Sequence, residues 1–159
     1  YSIAAPDSGD GFDLDQAYEL FRAGDTAAGL REFRACVEAN LTNRAARQRI
    51  GAAVAERAKE LEDEGSREQA LAMYEQASSL RGDSGGPWVP RIAALRRSLS
   101  AEAYDKALRV YRTDLAQAIR LLEASVKYDP ANALASTRLK EARVAQANLN
   151  RIEQRAKGK

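Results

Sequence analysis

The chain has 159 residues, 45% hydrophobic and 30% charged, with a formal net charge of +2. That balance suits a helix-rich domain large enough to bury a core, and it excludes a disordered chain. Histidine is absent and there is one cysteine, which removes histidine chemistry and any internal disulfide; no run of about 18 apolar residues offers a membrane span.

Alanine, leucine, arginine and glutamate dominate, all good helix formers, while Val, Ile and Thr are too few for a sheet. Residues 1–12, with Pro6, Gly9 and Gly11, read as a flexible tail or linker. Asp13 with Gln16 makes a capping-box-like start, and Leu14, Ala17, Tyr18 and Phe21 follow at helical spacing. Gly24 ends that helix and Asp25 caps the next, whose apolar stripe is Leu30, Phe33, Cys36 and Val37. After a turn over Asn40–Asn43, a longer helix runs from about Arg44 to Glu64 and stops at Gly65. Ser66 with Gln69 reads as a second capping-box start, for a helix ending near Leu80. Residues 81–87, RGDSGGP, are dense in turn formers. Helix resumes at Trp88, which is expected to plug the gap beside Leu95, with a break capped by Ser100. Tyr104, Ala107, Leu108 and Tyr111 precede a tight turn at Thr113-Asp114. A helix over about 115–128 stops at Asp129-Pro130, and a last one covers roughly 132–154, with a frayed basic end from 155 to 159.

Charge is unevenly spread. Residues 1–20 carry a net −5 and residues 138–159 a net +5. Cys36 occupies a small-residue position and is expected to be buried and inert.

One spacing recurs in the second helix of each pair. It reads Gly29, Phe33, Cys36, then Ala70, Tyr74, Ala77, then Ala118, Leu122, Ser125, the last closed by Pro130. A small residue and a large one four positions on share a helix face, so a neighbouring helix can come close. This pattern, with Gly24-Asp25, Gly65-Ser66 and Thr113-Asp114 as turns five residues upstream, resembles the tetratricopeptide-repeat family over about 13–154. The small residue recurs at 29, 70 and 118, intervals of 41 and 48 residues, against about 34 in that family. The early W-x2-L-G-x2-Y part of the family signature is missing. The resemblance implies an all-α, helical-hairpin stack of three helix pairs plus a C-terminal closing helix, irregular in its repeat lengths.

The resemblance also implies a protein or peptide partner bound in a groove lined by the first helices of the pairs. Carried across, the groove would take Leu14, Tyr18, Phe21 and Arg22 from the first pair. The second would give Ala55, Lys59 and Glu62, the third Tyr104, Leu108, Tyr111 and Arg112, and the final helix Thr137, Glu141 and Val144. The Lys/Asn clamp that co-chaperone members close on a terminal carboxylate is missing, because Leu14 and Tyr18 stand in its places.

Motifs for chemistry fail on inspection. Gly82-Asp83-Ser84-Gly85-Gly86-Pro87 spells the nucleophile motif of chymotrypsin-like proteases, but no histidine could take the serine proton. Arg81-Gly82-Asp83 spells an adhesion tripeptide at a place where turn residues collect anyway. Glu60, Glu62, Asp63 and Glu64 form an acidic run on a helix without His or Cys beside it, and no Gly-rich phosphate loop is present. Arg47, Arg49, Arg96 and Arg97 interleave with acids, so no uniform basic stripe invites nucleic acid. The expectation is therefore a non-catalytic interaction scaffold without cofactor, metal or direct membrane insertion. Self-assembly of acidic start onto basic end is the alternative. The Ala/Arg-rich style suggests a bacterial envelope or cytoplasmic protein, and the absence of an initiator Met suggests a mature product or an excised domain.

Overall fold

A computed structural model describes residues 14–39, 42–82 and 86–158, except the side chains of Leu14, Asp15, Tyr18 and Arg22. The proposed tail over 1–12, the Asp13 cap and Asp83 to Gly85 of the glycine-rich loop lie outside the described residues. Within them the chain is all-α, with helices α1 (Leu14–Arg22), α2 (Thr26–Ala39), α3 (Arg44–Asp63), α4 (Arg67–Arg81), α5 (Val89–Val110), α6 (Leu115–Tyr128) and α7 (Ala133–Lys157). The described residues pack as three helix pairs, α1 with α2, α3 with α4 and α5 with α6, and α7 closes on α6. The chain divides into two compact units, Tyr1–Ile92 and Ala93–Lys159, with the boundary inside α5.

In the first unit the helix ends follow local chemistry. Asp25 accepts the Ala28 N–H at 3.1 Å, and Asn43 accepts that of Ala46 at 3.0 Å, each satisfying a donor that the first turn leaves open. Gly24 and Gly65 reverse the chain after α1 and α3 with φ of +90° and +86°, a region that costs glycine nothing. Ser66 makes no side-chain cap bond, so the expected capping box at α4 is not formed. The backbone closes that corner instead, through the Ser66 N–H on the Leu61 carbonyl at 2.8 Å.

The recurring small-large-small set is the core. Gly29, Phe33 and Cys36 of α2 are buried, as are Ala70, Tyr74 and Ala77 of α4. Burying a side chain the size of Phe33 stabilises by roughly 1.5–3 kcal/mol. Phe21 of α1 lays its ring 5.0 Å from that of Phe33, tilted by 45°, and crosses the face that Gly29 leaves bare. Between α3 and α4 the close approach is at Gly51, where an added Cβ would lie 3.0 Å from the Ala77 carbonyl oxygen and 3.2 Å from the Trp88 ring. Trp88 also carries Arg81 over its face at 5.9 Å. Gly51 and Arg81 are thus neighbours of the indole.

In the second unit α5 is continuous through Ser100, so the expected break is absent. The Ser100 hydroxyl is used across the helix pair rather than as a cap. Its Oγ donates to the Ser125 carbonyl at 2.7 Å, and the Ser125 Oγ donates to the Ser100 carbonyl at 2.7 Å. Both serines are fully buried. Asn132 reads the same pair, its Nδ2 donating to Ser100 Oγ at 3.0 Å while its Oδ1 caps α7 at Ala135 N. Around this polar knot Ala107, Leu122, Leu139 and Ala142 form the apolar core. Asp129 ends α6 in extended backbone, the conformation that a following proline imposes. The last helix continues to Lys157, three residues beyond the point where fraying is expected from the sequence.

Candidate functional site

The fourteen residues carried across to the groove fall in both units, and Ala55 among them is buried. In the first, the side chains of Leu14, Tyr18 and Arg22 lie outside the described residues. Phe21 packs in the α1–α2 contact with Phe33 and Gly29 and is half-buried. The cause is Gly29, whose missing side chain makes room for the ring. Lys59 is exposed on α3.

Glu62 is also drawn inward. Its Oε2 accepts the Arg91 Nε–H at 2.9 Å while Oε1 meets Arg91 Nη2 at 2.9 Å, a two-point fork. The Tyr74 hydroxyl donates to the same Oε2 at 3.4 Å. Burial, and then the Glu62 charge, push the Tyr74 phenol above its ordinary 10.0. The hydrogen bond and charge of Glu62 likewise raise the Arg91 guanidinium. Glu62 therefore joins α3, α4 and the start of α5.

In the second unit several candidates share a face. Tyr104, Leu108 and Tyr111 are spaced to lie on one side of a helix. Tyr104 and Tyr111 are half-buried against the core around Leu122 and Leu139, and Leu108 is 39% exposed. Tyr111 and Arg112 lie in the turn after α5, which ends at Val110. The Val110 carbonyl draws that turn shut by accepting the N–H groups of Thr113 and Asp114 at 3.1 and 2.8 Å. Arg112 is exposed there.

The α7 side of this surface holds a residue that sequence reasoning did not single out. Arg138 stands over the Tyr111 ring at 5.4 Å and pairs with Glu141 at 3.3 Å. The Arg138-Glu141 spacing was visible as a helical pair; the ring 27 positions upstream was not. Thr137 and Glu141 are exposed, and Val144, one turn beyond Glu141, is 61% exposed. Around the Tyr111–Arg138–Glu141 chain, the candidate strip takes Tyr104 and Leu108 from α5 and Val144 from α7.

Comparison with known proteins returns no matching family model and no similar curated protein.

The strip offers no nucleophile with a base beside it. Among the described residues no group of three or more His, Cys, Asp and Glu could hold a metal ion, and no helix is long and apolar enough to cross a membrane. Tyrosine beside arginine, as at Tyr111 and Arg138, is a pairing of the types enriched at interface hot spots.

Proposed function

We propose that this chain is a non-catalytic protein–protein interaction scaffold of the tetratricopeptide-repeat type. Its partner segment lies along the second unit's α5–α7 face, apolar groups on Leu108 and Val144 and an acidic group near Arg112. The observation that carries this is the open strip itself: Leu108 at 39% and Val144 at 61% exposure, beside the Tyr111–Arg138–Glu141 chain. Supporting it is the resemblance carried by Ala118, Leu122, Ser125 and Pro130, a pattern of families whose first helices face the ligand.

The test is affinity capture from the source cell with the wild-type chain and with Leu108→Glu. Leu108 is exposed, so the variant should keep its helical circular dichroism and lose the partner that the wild type retains. A folded Leu108→Glu protein that captures the same partner in full would refute the assignment.

A further inference from the structure

Beyond Ala142 the apolar stripe of α7 does not stop. Ala142, Ala145, Leu149, Ile152 and Ala156 follow one another at intervals of 3, 4, 3 and 4 residues. An alternating 3-4 spacing keeps one seam of a helix facing a partner helix. The seam starts in the core and leaves it: Ala142 is fully buried, Leu149 is 46% exposed and Ile152 is 62% exposed. The geometry of α7 explains why. Ser100 meets Asn132, and Tyr111 meets Arg138, so α5 runs alongside α7 in the same direction and ends while α7 still has about five turns to go. From Ala147 to Gly158 every residue is exposed.

Charge selects what can cover the seam. The open part, residues 144–158, carries Arg151, Arg155 and Lys157 against Glu153 alone. Two copies paired through this seam would set the same cations side by side, which is unfavourable. A helix with apolar residues at its own 3-4 positions and carboxylates beside them would meet both features. The alanines at 145 and 156 leave room for close approach.

We infer that the projecting end of α7 docks an acidic amphipathic helix of a partner protein. This surface is separate from the Leu108–Glu141 strip, and the inference stands without it.

The probe is a designed, fluorescently labelled helix of three heptads with Leu or Ile at the a and d positions and Glu at e and g. It is titrated by anisotropy with the full chain. A second probe replaces every Glu by Lys. The Glu probe should bind, weaken as salt screens the arginines, and lose about tenfold or more in affinity against the Leu149→Glu/Ile152→Glu double variant, the like-charge penalty adding to lost apolar contact. Both substitutions put a good helix former at an exposed position, and circular dichroism confirms the fold. Leu108→Glu should leave the Glu probe's binding intact, which separates this test from that of the partner strip. Several results would overturn the inference. They are no binding of the Glu probe, equal binding of the Lys probe, or equal binding to the double variant. So would a concentration-dependent dimer in sedimentation that the double variant abolishes, since a second copy would then cover the seam. Binding to anionic phospholipid vesicles with no binding of the Glu probe would reassign the seam to a membrane surface.

Discussion

The pairing of Ser100 with Ser125 depends on two hydroxyls that have no water to fall back on. Each is fully buried and donates to the other's backbone carbonyl at 2.7 Å. Removing one strands groups that the other was satisfying, so Ser100→Ala or Ser125→Ala should each cost about 1–2 kcal/mol in urea unfolding. The double variant should cost less than the two singles added, with a coupling of about 0.5 kcal/mol or more; strict additivity would show that the hydroxyls act separately. Tyr74 makes a second residue-level prediction. Its folded pKa is raised above the unfolded value of 10.0 by burial and then by Glu62. A raised folded pKa means that its contribution is fully present below pH 10 and is lost as pH climbs through the folded value. Chemical denaturation of the wild type should therefore weaken above pH 10 more steeply than that of Tyr74→Phe. Parallel curves for the two would deny the phenol this role. Neither the serine pairing nor the Glu62–Arg91 fork was legible in the sequence. Each joins residues 25 or more positions apart, and helical periodicity speaks only to neighbours a turn away.

At the scale of the helix, periodicity and turn chemistry were nearly sufficient. The Gly24 and Gly65 stops, the Asp25 cap and the small-large-small faces all follow from local rules, and the structure has them. Ser66 and Ser100 show where such rules fail. A serine has one hydroxyl, and whether it caps its own helix or serves another is a tertiary choice. The Gly29 position tests the packing that results. Gly→Ala inside a helix ordinarily stabilises by about 0.5–1 kcal/mol. Here the new Cβ would run into the Phe21 ring, which is itself backed by Phe33 at 5.0 Å. Gly29→Ala should instead destabilise, by about 1–3 kcal/mol as overpacking does, and Phe21→Leu in the same chain should recover part of the loss. A gain in melting temperature for the single variant would contradict this contact. In α7 the contrast lies along one helix. Amide hydrogens over 135–142, seated on the core, should exchange far more slowly than those over 147–157, which bury nothing.

For the whole molecule, the count and order of helices were legible because each is long and bounded by turn residues. The division at Ile92 was not, since α5 reads as unbroken helix on both sides of it. Of the residues that the resemblance carries to a groove, those of the second unit lie on helices that also meet α7. Tyr104 and Tyr111 pack on the core that α7 completes, and Arg138 of α7 stands over Tyr111. Phe21 and Glu62, carried across by the same resemblance, went to internal contacts because Gly29 and Arg91 lay within reach. The distinction is measurable: Phe21→Ala should lower the melting temperature, whereas Arg112→Glu, at an exposed turn position, should leave it nearly unchanged.

The chain has a single tryptophan, and Trp88 rests on Gly51 and Arg81. Intrinsic indole emission is thus a built-in reporter on the first unit alone. Circular dichroism, by contrast, sums over every helix. Gly51→Ala should disturb the emission directly, through a Cβ placed 3.2 Å from the ring. Leu122→Ala can reach the emission melt only to the extent that opening the second core opens the first. Recording both spectroscopic traces on that one variant converts a lone chromophore into a gauge of folding cooperativity across the boundary at Ile92.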